Sequence, residues 1–230
     1  MKYILNGSTD PWYNMSFDEY CLVQPPSDDV FFYLWRNRPS VIIGENQNAR
    51  AEVNLKYLEE KGITLARRST GGGAVYHDLG NLNYSIVGKH PTPEVIAEAL
   101  RGMGVDARLS GRNDIFVGQH KVSGYARRLY KDRELIHGTL MYDVDISVLT
   151  QALDVPGSKL NLKGVASVPS RVRNLRDLLP YASVEEFRDR LQSVLADGDS
   201  GIQLPSGAGA EIERICREKY STPEWIYGRV

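Results

Sequence analysis

The sequence predicts a mixed α/β domain. Strand-like and helix-like patterns interleave from the amino terminus to Gly104, the stretch from Asp106 to Asp145 is almost wholly β-type, and the remainder turns helical. With 230 residues, 42% of them hydrophobic and 25% charged, the chain can bury one core, so residues 1–230 are expected to form a single domain.

Each element has a local reason. KYILNG is apolar enough for a short opening strand, and Asp10-Pro11 then offers an N-cap with proline at the first helical position, starting a helix that runs to about Val23. QPPSDD, from Gln24 to Asp29, is a loop by composition. VFFYLWRN and SVIIGENQ follow as strands rich in aromatic and β-branched residues. Asn54 caps the helix LKYLEEKG, whose closing Gly62 suits a helix end, and ITLARR runs as a strand into the Gly71-Gly72-Gly73 triplet. AVYH and LNYSIVG are strands joined by a turn at Asp78-Leu79-Gly80. Thr92-Pro93 opens the helix EVIAEALRGMG. In the β-rich middle, Gly118-Gln119 marks a tight hairpin before the strand that carries Lys121, and ELIHGTLMYDVD adds another strand. ISVLTQAL is a short helix, Ser183 and Glu186 form a capping box ahead of FRDRLQSVLAD, and AEIERICREKY is a further helical pattern. Gly198 to Gly209 reads as a surface loop.

Composition excludes several function classes. A formal net charge of −1 and a pI near 6.4 argue against nucleic acid as a partner. Cys21 and Cys216 fit neither a CxxC pattern nor a zinc spacing, and neither has the neighbours that would activate a thiolate. Both are expected to pack inside, in a reducing compartment. The apolar run at the amino terminus is too short for a secretory signal, and no window reaches about 18 uninterrupted apolar residues. No membrane partner is expected, and the location expected is the cytoplasm.

The densest chemistry lies in RRSTGGGAVYHDLGNLN, Arg67 to Asn83. Glycines let backbone N–H groups approach a ligand, and flanking arginines suit a phosphate. The segment fits neither the P-loop nor the dinucleotide-binding fingerprint. A glycine-lined bend between strands would look similar, but Arg67 and Arg68, Thr70 and His77 add two cations, a hydroxyl and a titratable ring that a bend does not require.

A second cluster, Ser110 to Arg128, contains Asn113 and Asp114, oxygen ligands suited to magnesium though also common in turns. Lys121 either faces solvent or, if inward, holds a carboxylate or phosphate as a point charge, while His120 reads as surface. His137-Gly138-Thr139 forms a third cluster, and KGVASVPSRVRNL, Lys163 to Leu175, is a basic loop that either closes over a nucleotide or is merely solvated. Trp35 belongs to the core or beside a ligand channel.

In order along the chain, RRSTGGGAVYHDLGNLN, GRNDIFVGQHKVSGYARR, HGTLMYDVDISVL and KGVASVPSRVRNLRDLLP resemble the lipoate-protein ligase A family, with matches from DPWYNMSFDEY to EWIYG. The resemblance implies the catalytic domain shared by biotin and lipoate ligases: an α/β (α+β) fold with a mixed, largely antiparallel central sheet flanked by helices. It implies that lipoate and ATP, with Mg²⁺, give lipoyl-adenylate, whose acyl group passes to a lysine of a lipoyl-carrier domain. Such carriers are the acyltransferase (E2) subunits of 2-oxoacid dehydrogenases and the glycine-cleavage H protein. By the same resemblance, Arg68, Thr70, Gly71, Gly72 and Gly73 line the acyl-adenylate, with His77 and Asn81 beside them. Lys121 is the catalytic lysine at the carbonyl and the phosphate, and Arg128 and His137 are further site positions. Lys163, Ser170 and Arg171 belong to the adenylate-binding loop, and Trp35 borders the acyl pocket. On their own oxygen-ligand chemistry, Asn113 and Asp114 are expected to join the site, Asp114 as a magnesium ligand. An acyl tail of about eight carbons would gain roughly 5 kcal/mol from burial.

Many members carry a small carboxyl-terminal domain after the segment matched by EWIYG, and here the sequence ends at Val230, so the short form without that accessory domain is expected. Members of that form can depend on a separate accessory protein for adenylation. Activation by this chain alone and activation with such a partner both stay open. Two other readings also stand: an octanoyl or lipoyl acyltransferase of the same fold working through a cysteine thioester, and a noncatalytic protein that binds lipoate or its adenylate.

Overall fold

The computed structural model describes residues 1–111, 113–153, 172–198 and 201–228. Local signals set most element ends. The first strand, β1, is only Lys2–Tyr3, and the Ile4 N–H makes one more bond, to Phe32 O at 2.9 Å, before the chain leaves the sheet. Asp10 caps α1 (Pro11–Val23) through its carboxylate, which accepts from the Trp12 and Tyr13 N–H groups. β2 (Phe31–Trp35) and β3 (Ser40–Ile43) follow. Asn48 caps α2 (Ala49–Glu52), a single turn too short to show a periodic pattern. Asn54 caps α3 (Leu55–Lys61), and Gly62 ends it at φ +63°. β4 (Thr64–Arg67), β5 (Val75–His77), β6 (Asn81–Gly88) and α4 (Glu94–Gly102) come next, then β7 (Ala107–Ser110) and β8 (Asp114–Val117). The two-residue Gly118-Gln119 loop returns the chain into β9 (His120–Tyr130), followed by β10 (Arg133–Met141) and α5 (Ile146–Ala152).

The carboxyl third is helical as expected. Ser183 caps α6 (Val184–Leu195) by accepting from Glu186 N–H at 3.2 Å, while the Glu186 carboxylate reaches one residue further back, to Ala182 N–H. The pattern AEIERICREKY does not run as one helix. It divides into α7 (Ala208–Ile215) and a π turn, Cys216–Tyr220, in which the consecutive Lys219 and Tyr220 both reach Glu19 of α1. The last helix, α8 (Pro223–Tyr227), is capped by Thr222.

The strands form two sheets. The larger has the order β1-β2-β6-β10-β9-β8-β7, antiparallel apart from the β1–β2 pair, and the smaller has the order β4-β3-β5. The turn at Asp78-Leu79-Gly80 carries the chain from the small sheet to the large one, so β5 and β6 lie in different sheets.

Helices cover both faces of the large sheet, which is why β2 and β6 are buried along their whole length and read as continuous apolar runs. Phe32, Leu34 and Ile86 face α4 and α6, meeting Ile96, Leu100, Phe187 and Leu191. Phe31, Tyr33, Trp35 and Val87 point the other way and pack with Met15, Phe17 and Leu22 of α1 and Ile212 of α7. A third cluster fills the small sheet around Val41, Ile43, Leu65 and Tyr76. Cys21 is fully buried as expected, whereas Cys216 is half-buried because it opens the π turn at the surface. Among the described residues, no helix is long and apolar enough to cross a membrane.

Candidate active site

A cavity of about 400 Å³ opens where the α1 face of the large sheet meets the small sheet. Strand register builds its floor. Tyr33, Ser85, His137 and Ala126 form one row across β2, β6, β10 and β9, and Trp35, Asn83 and Thr139 form the next. Side chains in such rows share a face, so residues distant in the chain converge.

Asp18 of α1 sits over the first row. Its Oδ1 accepts from Tyr33 Oη at 2.5 Å and from Ser85 Oγ at 2.7 Å, and its Oδ2 accepts from His137 Nδ1 at 2.6 Å. Burial, and then the neighbouring Asp18 carboxylate, push the Tyr33 hydroxyl well above its ordinary range, so it remains a donor. Trp35 Nε1 donates to Ser85 Oγ at 3.0 Å. On the far side of the imidazole, His137 Nε2 lies 2.8 Å from Thr70 Oγ1, and that hydroxyl oxygen accepts from Arg68 Nε at 2.9 Å. One hydrogen-bonded chain thus runs from the floor of the cavity to its glycine loop.

The two arginines before that loop have different roles. Arg68 turns back on the loop: its guanidinium donates to the carbonyls of Gly71 and Gly73, at 2.7 and 2.9 Å, and to that of Ile42 at 3.1 Å. In a trans peptide the next N–H points opposite to the carbonyl, so the Gly72 and Ala74 N–H groups face away from Arg68. Burial lowers its pKa to about 10, which still leaves it a cation at neutral pH. Gly72 holds φ +98°, a conformation that favours glycine. Arg67 is fully buried and does not border the cavity. Its guanidinium donates to the carbonyls of Gly44, Glu45, Gln47, Trp225 and Ile226, tying the end of α8 to the loop after β3. The expectation of two cations for a phosphate is therefore corrected to one, because β-strand alternation turns neighbouring side chains to opposite faces.

His77 is buried beside Trp35, with ring centroids 6.1 Å apart. Its Nδ1 lies 3.0 Å from Asn37 Nδ2, and its Nε2 has no hydrogen-bond partner among the described residues. Burial, reinforced by Arg68 and His137, pushes its pKa down to about 3. The ring is therefore neutral at neutral pH. Asn81 donates to Asn83 Oδ1 at 2.9 Å, and the Asn83 amide nitrogen is a second buried donor without a partner among the described residues.

Lys121 faces the cavity rather than solvent. Its Nζ pairs with Asp114 Oδ1 at 2.7 Å and packs over Gly124, where a Cβ would lie only 2.9 Å from that nitrogen. Asn113 binds Tyr125 O at 2.9 Å through its amide and so pins the start of β8 to β9. Arg173 N–H donates to Lys121 O at 3.1 Å, which sets the described end of the basic loop beside this lysine.

Of the residues singled out in the sequence, Trp35, Arg68, Gly72, Gly73 and His77 border the cavity on one side, and Asn113, Asp114, Lys121 and His137 on the other. Thr70 and Asn81 stand just behind that lining, and Gly71 is exposed next to it. Arg128 points elsewhere, to Glu19 at 3.2 Å, and His120 is exposed at the surface. Lys163, Ser170 and Arg171 lie outside the described residues. Sequence reasoning missed Asp18, Asn14, Asn37, Asn83 and Ser85. Two signals could have found some of them: Asn14 and Asp18 are spaced i, i+4 on the buried face of α1, and Asn81, Asn83 and Ser85 recur at period two inside a wholly buried strand.

Comparison with known proteins adds to this geometry. The family model described as the lipoyl protein ligase A/B catalytic domain matches residues 10–196. The chain is 40% identical to lipoate–protein ligase 1 of Staphylococcus aureus, over 100% of this chain and 74% of that protein. A Thermoplasma acidophilum protein solved with lipoic acid bound superposes with a TM-score of 0.85 at 29% identity, covering 100% of this chain and 99% of that one. The bi-partite lipoate protein ligase of the same organism, described together with its E2 lipoyl domain, gives 0.85 at 31% identity, covering 100% and 96%. A lipoate-protein ligase A bound with ATP gives 0.84 at 29% identity, covering 100% and 99%.

Proposed function

The chain belongs to the lipoyl protein ligase A/B catalytic-domain family, and we propose that its cavity joins lipoate to ATP and then passes the lipoyl group to a lysine of a lipoyl-carrier domain. The activity is that of an ATP-dependent lipoate-protein ligase. The observation that carries the assignment of roles is the meeting of Lys121 and His77 on one cavity whose remaining wall includes the apolar Met15, Ile42 and Val75. Apolar walls suit an acyl chain, and a cation with a neutral N–H donor suits the carbonyl and phosphate of a mixed anhydride.

In the first step a lipoate carboxylate oxygen attacks the α-phosphorus of ATP, and the bond to the β-phosphate breaks to release pyrophosphate. In the second, the neutral amine of the carrier lysine attacks the acyl carbon, AMP leaves, and the amine loses a proton. Lys121 opposes the negative charge that builds on the carbonyl and phosphate oxygens, with Asp114 holding it in place beforehand. Arg68 braces the glycine loop from inside, so the loop meets the adenylate with its geometry already set. His137, oriented by Asp18, fixes the cavity floor. The described residues contain no group of three carboxylate, histidine or cysteine side chains that could hold a metal by themselves. The single carboxylate of Asp114 at the cavity fits a magnesium ion carried in on nucleotide phosphates, where it would neutralise phosphate charge.

For partners, the T. acidophilum ligase described with its E2 lipoyl domain supports lipoyl-carrier domains, and E2 subunits and the glycine-cleavage H protein are the proposed acceptors. That ligase is described as bi-partite, which supports a separate accessory protein as the partner for adenylation. Residues 1–230 act here as one catalytic domain, and consumption of ATP together with the two unpaired cysteines favours the cytoplasm. The cysteine-thioester reading loses ground: Cys21 is fully buried with its thiol pushed well above its ordinary pKa by burial, and neither it nor Cys216 borders the cavity.

The test is the intact mass of a purified lipoyl-carrier domain after incubation with this chain, lipoate, ATP and Mg²⁺, beside a sample given lipoyl-adenylate. Lipoylation in both samples means that the chain activates and transfers unaided. Lipoylation from the adenylate alone means that activation requires the accessory protein. No lipoylation in either sample, with the adenylate still bound, would return the protein to the noncatalytic reading.

A further inference from the structure

We propose that Asn14 and Asn37 are positioning residues that lock His77 as the Nε2–H tautomer, so that the cavity presents a fixed donor to an acceptor oxygen of the bound acyl ligand. The identity of that ligand rests on the ligase reading; the tautomer does not.

The direction of every bond follows from groups that have only one role. The carbonyls of Ser8 and Arg36 can only accept, and both lie against the same end of the Asn14 side chain, at 3.1 and 3.0 Å. That end is the NH₂. A second, independent root gives the same answer. Ser8 N–H can only donate and meets Asn6 Oδ1 at 3.1 Å, so the other end of the Asn6 amide is the donor, and it lies 3.0 Å from the Asn14 oxygen.

From Asn14 the polarity passes inward. The two hydrogens of the Asn14 NH₂ are shared among three neighbours, and the Asn37 amide atom 2.8 Å away is its oxygen, because an NH₂ there would set donor against donor. The Asn37 NH₂ is then the group 3.0 Å from His77 Nδ1. An NH₂ facing a ring nitrogen forms a hydrogen bond only if that nitrogen is bare, which puts the ring hydrogen on Nε2. Asn14, Asn37 and His77 are all buried, so water cannot substitute for a wrong partner. Protonation of Nδ1 would set two donors against each other, in line with the pKa of about 3 that burial, Arg68 and His137 already impose.

The hydrogen left on Nε2 has no acceptor among the described residues, and His77 borders the cavity. A buried donor without a partner is unfavourable and is satisfied when a ligand oxygen arrives. A neutral N–H suits a carbonyl or phosphoryl oxygen, and the relay keeps it a donor instead of letting the ring alternate between tautomers.

Long-range ¹H–¹⁵N correlation spectroscopy on the full chain, labelled at its four histidines, reads the tautomer directly, with His77→Gln assigning the signal. The expected result at pH 7 is a protonated Nε2 and a bare Nδ1, with the Nε2–H resonance shifting when lipoate is added. A wild-type ring protonated at Nδ1, a mixture of tautomers or an imidazolium would overturn the proposal, as would saturating lipoate that leaves the Nε2–H signal unmoved. In Asn37→Asp a carboxylate faces Nδ1 and should draw the hydrogen there, weakening lipoate binding by about tenfold. A folded Asn37→Asp that keeps Nε2–H would refute the relay; if that variant does not fold, the wild-type spectrum decides alone. An Nε2–H ring in a chain that transfers no lipoyl group would sink the ligase reading and leave the relay standing.

Discussion

Asp18 Oδ2 accepts a hydrogen bond from His137 Nδ1 at 2.6 Å, although 119 residues separate the two in the chain. The carboxylate also takes the hydroxyls of Tyr33 and Ser85, so every contact it makes here is as an acceptor. Asp18→Asn replaces one acceptor atom with a donor inside this buried set. We expect a loss of about 1–3 kcal/mol in urea unfolding and a fall in lipoyl transfer. An unchanged denaturation midpoint together with full activity would show that the chain from Asp18 to Thr70 organises nothing.

His77 makes stability depend on pH with a definite sign. Its folded pKa of about 3 lies below the ordinary histidine value near 6.5, so between these two pH values the unfolded chain binds more protons than the folded one. Its contribution is fully present above about pH 6.5 and is lost as pH falls toward 3, at up to about 1.4 kcal/mol per pH unit. Unfolding of wild type and His77→Gln across pH 4–8 checks this. The variant should show the flatter profile, and parallel profiles would count against the buried neutral ring.

Lys121→Ala should leave the fold intact and lower transfer from lipoyl-adenylate by about 100-fold or more, the scale of losing one preorganised charge at a developing oxyanion. Circular dichroism and single-turnover transfer separate the two effects. Near-normal turnover would remove Lys121 from the reaction.

Gly124→Ala tests the same lysine without removing it. The added Cβ would stand 2.9 Å from Lys121 Nζ, the end of a flexible side chain that can swing aside. Activity should fall by about tenfold while stability changes by less than about 1 kcal/mol. A large fall in melting temperature with little change in turnover would mean that this close approach serves packing alone.

Arg67→Lys should act on the fold. A lysine cannot reproduce the planar fork that satisfies five backbone carbonyls from two distant segments. A loss of at least about 3 kcal/mol, or ~6–12 °C in Tm, is expected, with α8 the first segment cut by protease. Wild-type stability would mean that lysine and water replace the fork.

Much of the fold was legible because its signals are local. Asp10 before Pro11, Asn54 with Gly62, the Gly118-Gln119 loop and the Ser183 cap each act within a few residues, and each set the element end it was expected to set. The glycine loop, His77 and Lys121 were legible as chemistry for the same reason: unusual residue types crowd into short segments. By itself, then, the sequence determined the elements and the residue types at the cavity. Only the tertiary structure decided which of them meet. Strand register placed Ser85 and His137 in one row beneath Asp18, alternation along β4 turned Arg67 away from the cavity and left Arg68 beside it, and the Asp78–Gly80 turn sent β5 and β6 into different sheets. A hydrogen bond between groups 67 or 119 residues apart forms only when several strands pair in one register, a property of the whole sheet that no short window of residues contains.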